Sequence, residues 1–119
     1  MNTAKRMARK AEQLRAVMRG ITVAYNSTQG PHSQLHPANF ERALAFAGNG
    51  EIIAQTLERW KFRWHVVLTV WRGSDEAEEA EFFTDDMLTL HDMSAFVEDD
   101  LLPQLDANGC EWGYIAKIV

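Results

Sequence analysis

Residues 61–84 read KFRWHVVLTVWRGSDEAEEAEFFT. Phe62, Trp64, Val66, Leu68 and Val70 alternate here with Arg63, His65, Val67, Thr69 and Trp71. A period of two sends the two sets to opposite sides of an extended strand. The second set turns apolar towards Trp71, so the strand is expected to be buried on one face and partly on the other. Gly73-Ser74-Asp75 supplies a turn, and Ala80-Glu81-Phe82-Phe83-Thr84 returns as the partner strand of a hairpin.

Working outward, Thr89 and Asp92 are spaced as the reciprocal pair of a helix cap. Met93, Phe96, Val97 and Leu101 mark one helix face, and Pro103 ends that helix near Leu102. Asn108-Gly109 turns the chain into a closing strand, 111–119. On the N-terminal side, Ala4, Met7, Ala8, Ala11, Leu14 and Met18 form an apolar stripe on a helix over 3–19, with Asn2 or Thr3 as cap and Gly20 ending it. Ile21–Tyr25 reads as a short strand, and residues 26–36 as a loop. Pro37 opens a short helix with Phe40, Ala43, Leu44 and Ala47 on one face, up to Gly48-Asn49-Gly50. Ile52, Ile53, Thr56, Leu57 and Trp60 mark another.

The order is therefore α-β-α-α-β-β-α-β. Hairpin-linked strands and segregated helices define an α+β fold, here a small single domain, 1–119, with a mostly antiparallel sheet of three or four strands and helices on one face. The pattern leaves open whether the last strand lies beside the hairpin or between its strands.

Charge divides the chain by position. Residues 1–72 hold eleven Lys or Arg against four Asp or Glu, about +7; residues 73–119 hold thirteen acids against Lys117, about −12, and the sum is the net −5. The acidic half clusters Asp75, Glu76, Glu78, Glu79 and Glu81 at the hairpin, Asp85 and Asp86 after it, and Glu98, Asp99 and Asp100 on the last helix. Such a half is either neutralised by its own basic helix or a second copy's, as in a homodimer, or offered to a basic partner. The 1–20 helix carries Lys5, Arg6, Arg9, Lys10, Arg15 and Arg19, a set able to contact nucleic-acid phosphates. Its Ala- and Met-based stripe lacks the Trp or Phe anchors of a membrane-surface helix, so no membrane partner is expected.

Catalytic and metal motifs do not compete. Cys110 is alone, so no disulfide or CxxC exists, which fits a reducing cytoplasm. His32 and His36 lie in a loop bracketed by Pro31 and Pro37 without a completing Cys or acid, and His91 beside Asp92 reads as a helix-start residue. Trp60-Lys61-Phe62-Arg63-Trp64-His65 interleaves aromatics with cations, but strand alternation separates the two types and sends Phe62 and Trp64 to the core. Neither GxGxxG nor a phosphate-loop pattern occurs. No enzyme activity, cofactor or metal is expected.

In size, acidity and absence of a catalytic motif the chain is similar to small inhibitor proteins of phages and mobile elements, such as anti-CRISPR proteins, and to toxin-immunity proteins. That resemblance of composition implies a non-enzymatic binding or inhibitory protein. Its carboxylates, Asp75, Glu76, Glu78, Glu79, Asp85, Asp86, Glu98, Asp99 and Asp100, would engage a basic protein surface. The alternative is a nucleic-acid-binding accessory protein that uses the basic helix.

Overall fold

The computed structural model describes residues 3–27, 34–36, 50–73 and 76–119. Helix α1 (Thr3–Met18) leads through Gly20 into β1 (Thr22–Asn26). Gly20 has φ 89°, the left-handed conformation that ends a helix at low cost only for glycine. Then come β2 (Gln34–His36), α2 (Gly50–Arg59), β3 (Trp64–Trp71), β4 (Ala77–Phe83), α3 (Leu90–Ala95) and β5 (Glu111–Ile118). A π-helical turn (Phe96–Leu101) and a 3₁₀ turn (Pro103–Leu105) continue α3. The expected helix at 37–47, His32 and Asp75 lie outside the described residues.

The strands form one antiparallel sheet in the order β2-β1-β5-β3-β4. The hairpin is β3–β4, with Leu68 opposite Ala80, and β5 lies on the other side of β3, with Leu68 opposite Tyr114. The closing strand is thus beside the hairpin, in the middle of the sheet. Strand β2 falls where a loop is expected; it is three residues long and held by pairing of Val23 with Leu35, which no propensity announces. It raises the strand number to five.

Alternation along β3 is as its sequence reads. Trp64, Val66, Leu68 and Val70 are buried, His65, Val67 and Thr69 are half-buried, and Trp71 is exposed. The buried set joins Val23, Tyr114, Ala116 and Ile118 from the sheet with Leu14, Met18, Leu57, Met93, Val97 and Leu102 from the helical segments. The described helices therefore pack on this one face. The interleaved aromatics behave likewise: Phe62 and Trp64 are core and meet edge to face at 6.3 Å, while Lys61 and Arg63 are exposed.

Only the C-terminal end of the α1 stripe is used. Leu14 and Met18 are buried and Ala11 half-buried, whereas every residue from Thr3 to Lys10 is exposed, Met7 included at 65%. Thr89 caps α3 as its sequence implies, its Oγ1 accepting from the Asp92 N–H at 3.2 Å. Beyond Ala95 the buried positions step from Met93 to Val97 by four residues and on to Leu102 by five, and the Leu102 N–H donates to the Val97 carbonyl at 2.9 Å. The five-residue step is the widened turn.

Candidate functional interface

The acidic segment was expected at a hairpin tip, and the structure places most of it on a strand. Glu78, Glu79 and Glu81 belong to β4, which begins three residues before Ala80. Pairing with the C-terminal half of β3 gives their backbone a ladder while leaving the side chains exposed, because β4 is the outermost strand. Glu76 directly precedes it. Strand rise is about 3.4 Å per residue, so Glu79 and Glu81, two residues apart, are spaced about 6.8 Å along one face of this edge. Glu79 and Glu81 lie on the open face of the sheet, and Glu78 on the helix side.

Asp85 and Asp86 are exposed in the bend that follows β4. That bend is fixed by Thr84, the one buried polar residue among those described. Its Oγ1 accepts from the Trp64 N–H at 2.9 Å, its N–H donates to the Trp64 carbonyl at 2.8 Å, and its carbonyl accepts from Arg63 Nε at 3.3 Å. Phe62 and Leu88 then exchange both backbone hydrogen bonds, and Trp64 Nε1 donates to the Leu88 carbonyl at 2.9 Å. The two aspartates therefore project from a clamped turn.

Glu98, Asp99 and Asp100 are consecutive in the π turn, above the helix-side face. Asp99 and Asp100 are exposed and Glu98 is half-buried. Burial, and then the charge of Asp99, raise the Glu98 carboxyl above its ordinary 4.5. Beneath it Tyr114 stacks with Tyr25 at 4.9 Å and with Trp112 at 5.8 Å. Burial pushes the Tyr114 phenol up, with Glu98 and Tyr25 adding to the effect and Ser94 opposing it.

Three ion pairs occur among the described residues. His65 Nε2 meets Glu81 at 2.6 Å, and Arg72 reaches Glu78 at 3.2 Å and Asp106 at 3.7 Å. Arg72 also donates to the Leu105 carbonyl, tying the end of the 3₁₀ turn to the hairpin. These pairs are exposed and worth at most about 1 kcal/mol each. Glu76, Glu79, Asp85, Asp86, Asp99 and Asp100 are left outside them. The structure thus brings Glu76, Glu78, Glu79 and Glu81 together on one edge, puts Asp85 and Asp86 at its end, and sets Glu98, Asp99 and Asp100 apart on the helix layer.

Of the basic set, Lys5, Arg6, Arg9 and Lys10 are on the exposed part of α1, Arg15 is half-buried and Arg19 exposed. Among the described residues no group of three or more metal-ligating side chains converges, and no helix is long and apolar enough to cross a membrane. His91 is exposed in the first turn of α3, and Cys110 is a half-buried free thiol.

Sequence reasoning passed over one surface. On the open face of the sheet Trp71, Phe83 and Ile115 are 41%, 56% and 50% exposed, with half-buried Val67 between them. The apolar turn taken by the second alternating set of β3 was its signal. No family model matches the chain, and no curated protein or solved structure matches it either.

Proposed function

We propose that the protein is a non-enzymatic binding protein whose acidic edge occupies a basic surface of another protein. The observation that supports this reading is the edge strand β4, with Glu78, Glu79 and Glu81 exposed along it and Asp85 and Asp86 clamped at its end. Carboxylates on a rigid strand are already placed, so little conformational entropy is lost when they replace phosphates in a basic groove. The setting that fits is occlusion of a nucleic-acid-binding protein, as by phage or mobile-element inhibitors or immunity proteins, in a cytoplasm reducing enough to keep Cys110 free.

Affinity capture from a host lysate at about 0.15 M salt, with the captured protein then purified and titrated, tests it. Asp85→Lys with Asp86→Lys, and separately Glu79→Lys, should each weaken that binding at least tenfold, and nucleic acid should compete. Binding indifferent to both reversals refutes the reading.

A second reading rests on the exposure of Thr3–Lys10, which sets Lys5, Arg6, Arg9 and Lys10 clear of the core. An amphipathic helix so placed suits phosphate contact by a nucleic-acid-binding accessory protein. Gel shifts with DNA and RNA at low salt separate the two: binding abolished by Arg6→Gln, Arg9→Gln and Lys10→Gln favours the helix, and absence of any shift favours the acidic edge.

A further inference from the structure

Strand alternation parts Arg63 and His65 from the aromatics beside them in sequence, yet the fold gives them another. Antiparallel register sets Lys117, His65 and Phe83 side by side on the open face of the sheet, at the end where Gly20 meets Ile118. His65 stacks on Phe83 with ring centroids 4.5 Å apart and planes 11° from parallel, and Phe83 stays 56% exposed. Around this row Arg19, Arg63, His65, Phe83, Lys117 and Val119 line an open cleft of about 570 Å³.

The four segments that meet here are tied by hydrogen bonds. The Gly20 N–H donates to the Ile118 carbonyl at 2.8 Å, and the Val119 N–H to the Arg63 carbonyl at 3.0 Å. Arg63 Nε is itself held on the Thr84 carbonyl, directly after Phe83, at 3.3 Å. In a chain of net charge −5, three Lys or Arg side chains thus line one cleft, and among the described residues no carboxylate side chain lines it. Acids begin outside it: Glu81 is one row further along the face, where it engages His65 at 2.6 Å, and Glu79 is one row beyond. Asp85 and Asp86 belong to the bend after β4 and are not part of the lining.

We propose that this cleft is a nucleotide-binding site, in which Phe83 offers its ring to the base and Lys117, Arg63 and Arg19 take the phosphate. A simple anion would use the cations alone and an apolar ligand Phe83 alone, whereas a nucleotide uses both. Every base has a face that can stack on an aromatic ring, and the volume lies within the roughly 300–1,000 Å³ of small-ligand sites. A polyanion laid along the strands would meet Glu81 and Glu79, so the site takes one nucleotide unit, free or at the end of a single strand. It uses neither the exposed half of α1 nor the β4 acids, and stands apart from both readings above.

Amide shifts of the isotope-labelled full chain, followed by NMR during titration with adenosine 5′-monophosphate to about 5 mM, test the proposal. We expect saturable shifts centred on His65, Phe83 and Lys117, with adenosine and inorganic phosphate each binding at least about tenfold more weakly. Phe83→Thr should weaken nucleotide binding about fivefold or more. Lys117→Gln should weaken it about threefold or more; Lys117 is exposed, so this variant reads the site even where Phe83→Thr disturbs the sheet edge. Glu81→Gln should strengthen binding, and the joint α1 variant Arg6→Gln, Arg9→Gln and Lys10→Gln should leave it unchanged. A short 5′-phosphorylated deoxyadenosine strand that binds more tightly than the mononucleotide, and loses that binding with Phe83→Thr, identifies a strand end as the source; equal or weaker binding identifies the free nucleotide. No saturable shift with either, shifts centred elsewhere, phosphate bound as tightly as the nucleotide, or binding indifferent to both Phe83→Thr and Lys117→Gln each overturn the proposal.

Discussion

Replacement of Thr84 by Val tests how the acidic bend is held. The hydroxyl is buried and accepts from the Trp64 N–H, a donor at the start of the central hairpin with no other acceptor at that position. Valine keeps the shape and removes the acceptor. An orphaned buried donor costs about 1–3 kcal/mol, and the added apolar burial offsets about 0.8 kcal/mol of it, leaving a net loss of about 0.2–2.2 kcal/mol. For a domain of this size each kcal/mol moves the melting temperature by about 3–5 °C, so Thr84→Val should melt about 1–11 °C lower. Hydrogen exchange by NMR supplies the local readout: the Trp64 amide should lose protection, while Leu68 and Val70 follow only the global change. Serine, which restores the oxygen, should restore that protection. Thr84→Val at native stability with a protected Trp64 amide would refute the assignment, and with it the claim that Asp85 and Asp86 project from a fixed turn.

The exposed and buried ends of α1 should respond differently: Met7→Glu should change stability by less than about 0.5 kcal/mol, whereas Met18→Glu, at a fully buried site, should prevent cooperative thermal unfolding. Glu98 has a folded-state carboxyl raised above 4.5, so the native state binds more protons in the window just above that value. Its contribution is fully present below pH 4.5 and is lost as pH rises through the raised value. The native chain should show this small decline in melting temperature and Glu98→Gln should lack it; a Gln variant less stable than the native chain at pH 7 would contradict the assignment. Arg72→Ala removes two exposed pairs and the bond to the Leu105 carbonyl, and should cost about 1 kcal/mol or less by denaturant titration.

Where periodicity was strong the sequence was sufficient. The alternation of 62–71 predicts both faces of β3, the Thr89 cap predicts the start of α3, and the pattern of 111–119 predicts β5. Position within the sheet was not legible, because antiparallel pairing depends on which faces must be covered rather than on any local signal. Strand β2 was missed for a related reason: three residues carry no period, and its existence depends on β1. The π turn hid in a pattern read as ordinary helix, although the step from Val97 to Leu102 is one residue too long for an α turn. The start of β4 was misplaced because Glu78 and Glu79 are poor strand formers on propensity; pairing with β3 overrides that at a solvent-facing edge. Of the candidate acidic residues, linear clustering indicated charge density, but only the register shows that Glu79 and Glu81 share a face while Glu78 is on the other.

The same register bears on why the carboxylates are there. An outermost strand with unpaired backbone groups needs a few charges to deter pairing with other chains. Glu78, Glu79 and Glu81 meet that need by themselves, and two of them are partly balanced by Arg72 and His65. Asp85, Asp86, Asp99 and Asp100 protect no edge, since they lie in the bend after β4 and on the helix layer. Removing edge charges should therefore promote aggregation at any salt concentration, whereas removing the aspartates should leave solubility intact and act on partner binding alone. If the four aspartates instead govern solubility and β4 governs nothing, carboxylates on this chain serve dispersal, and the edge has no claim to a partner.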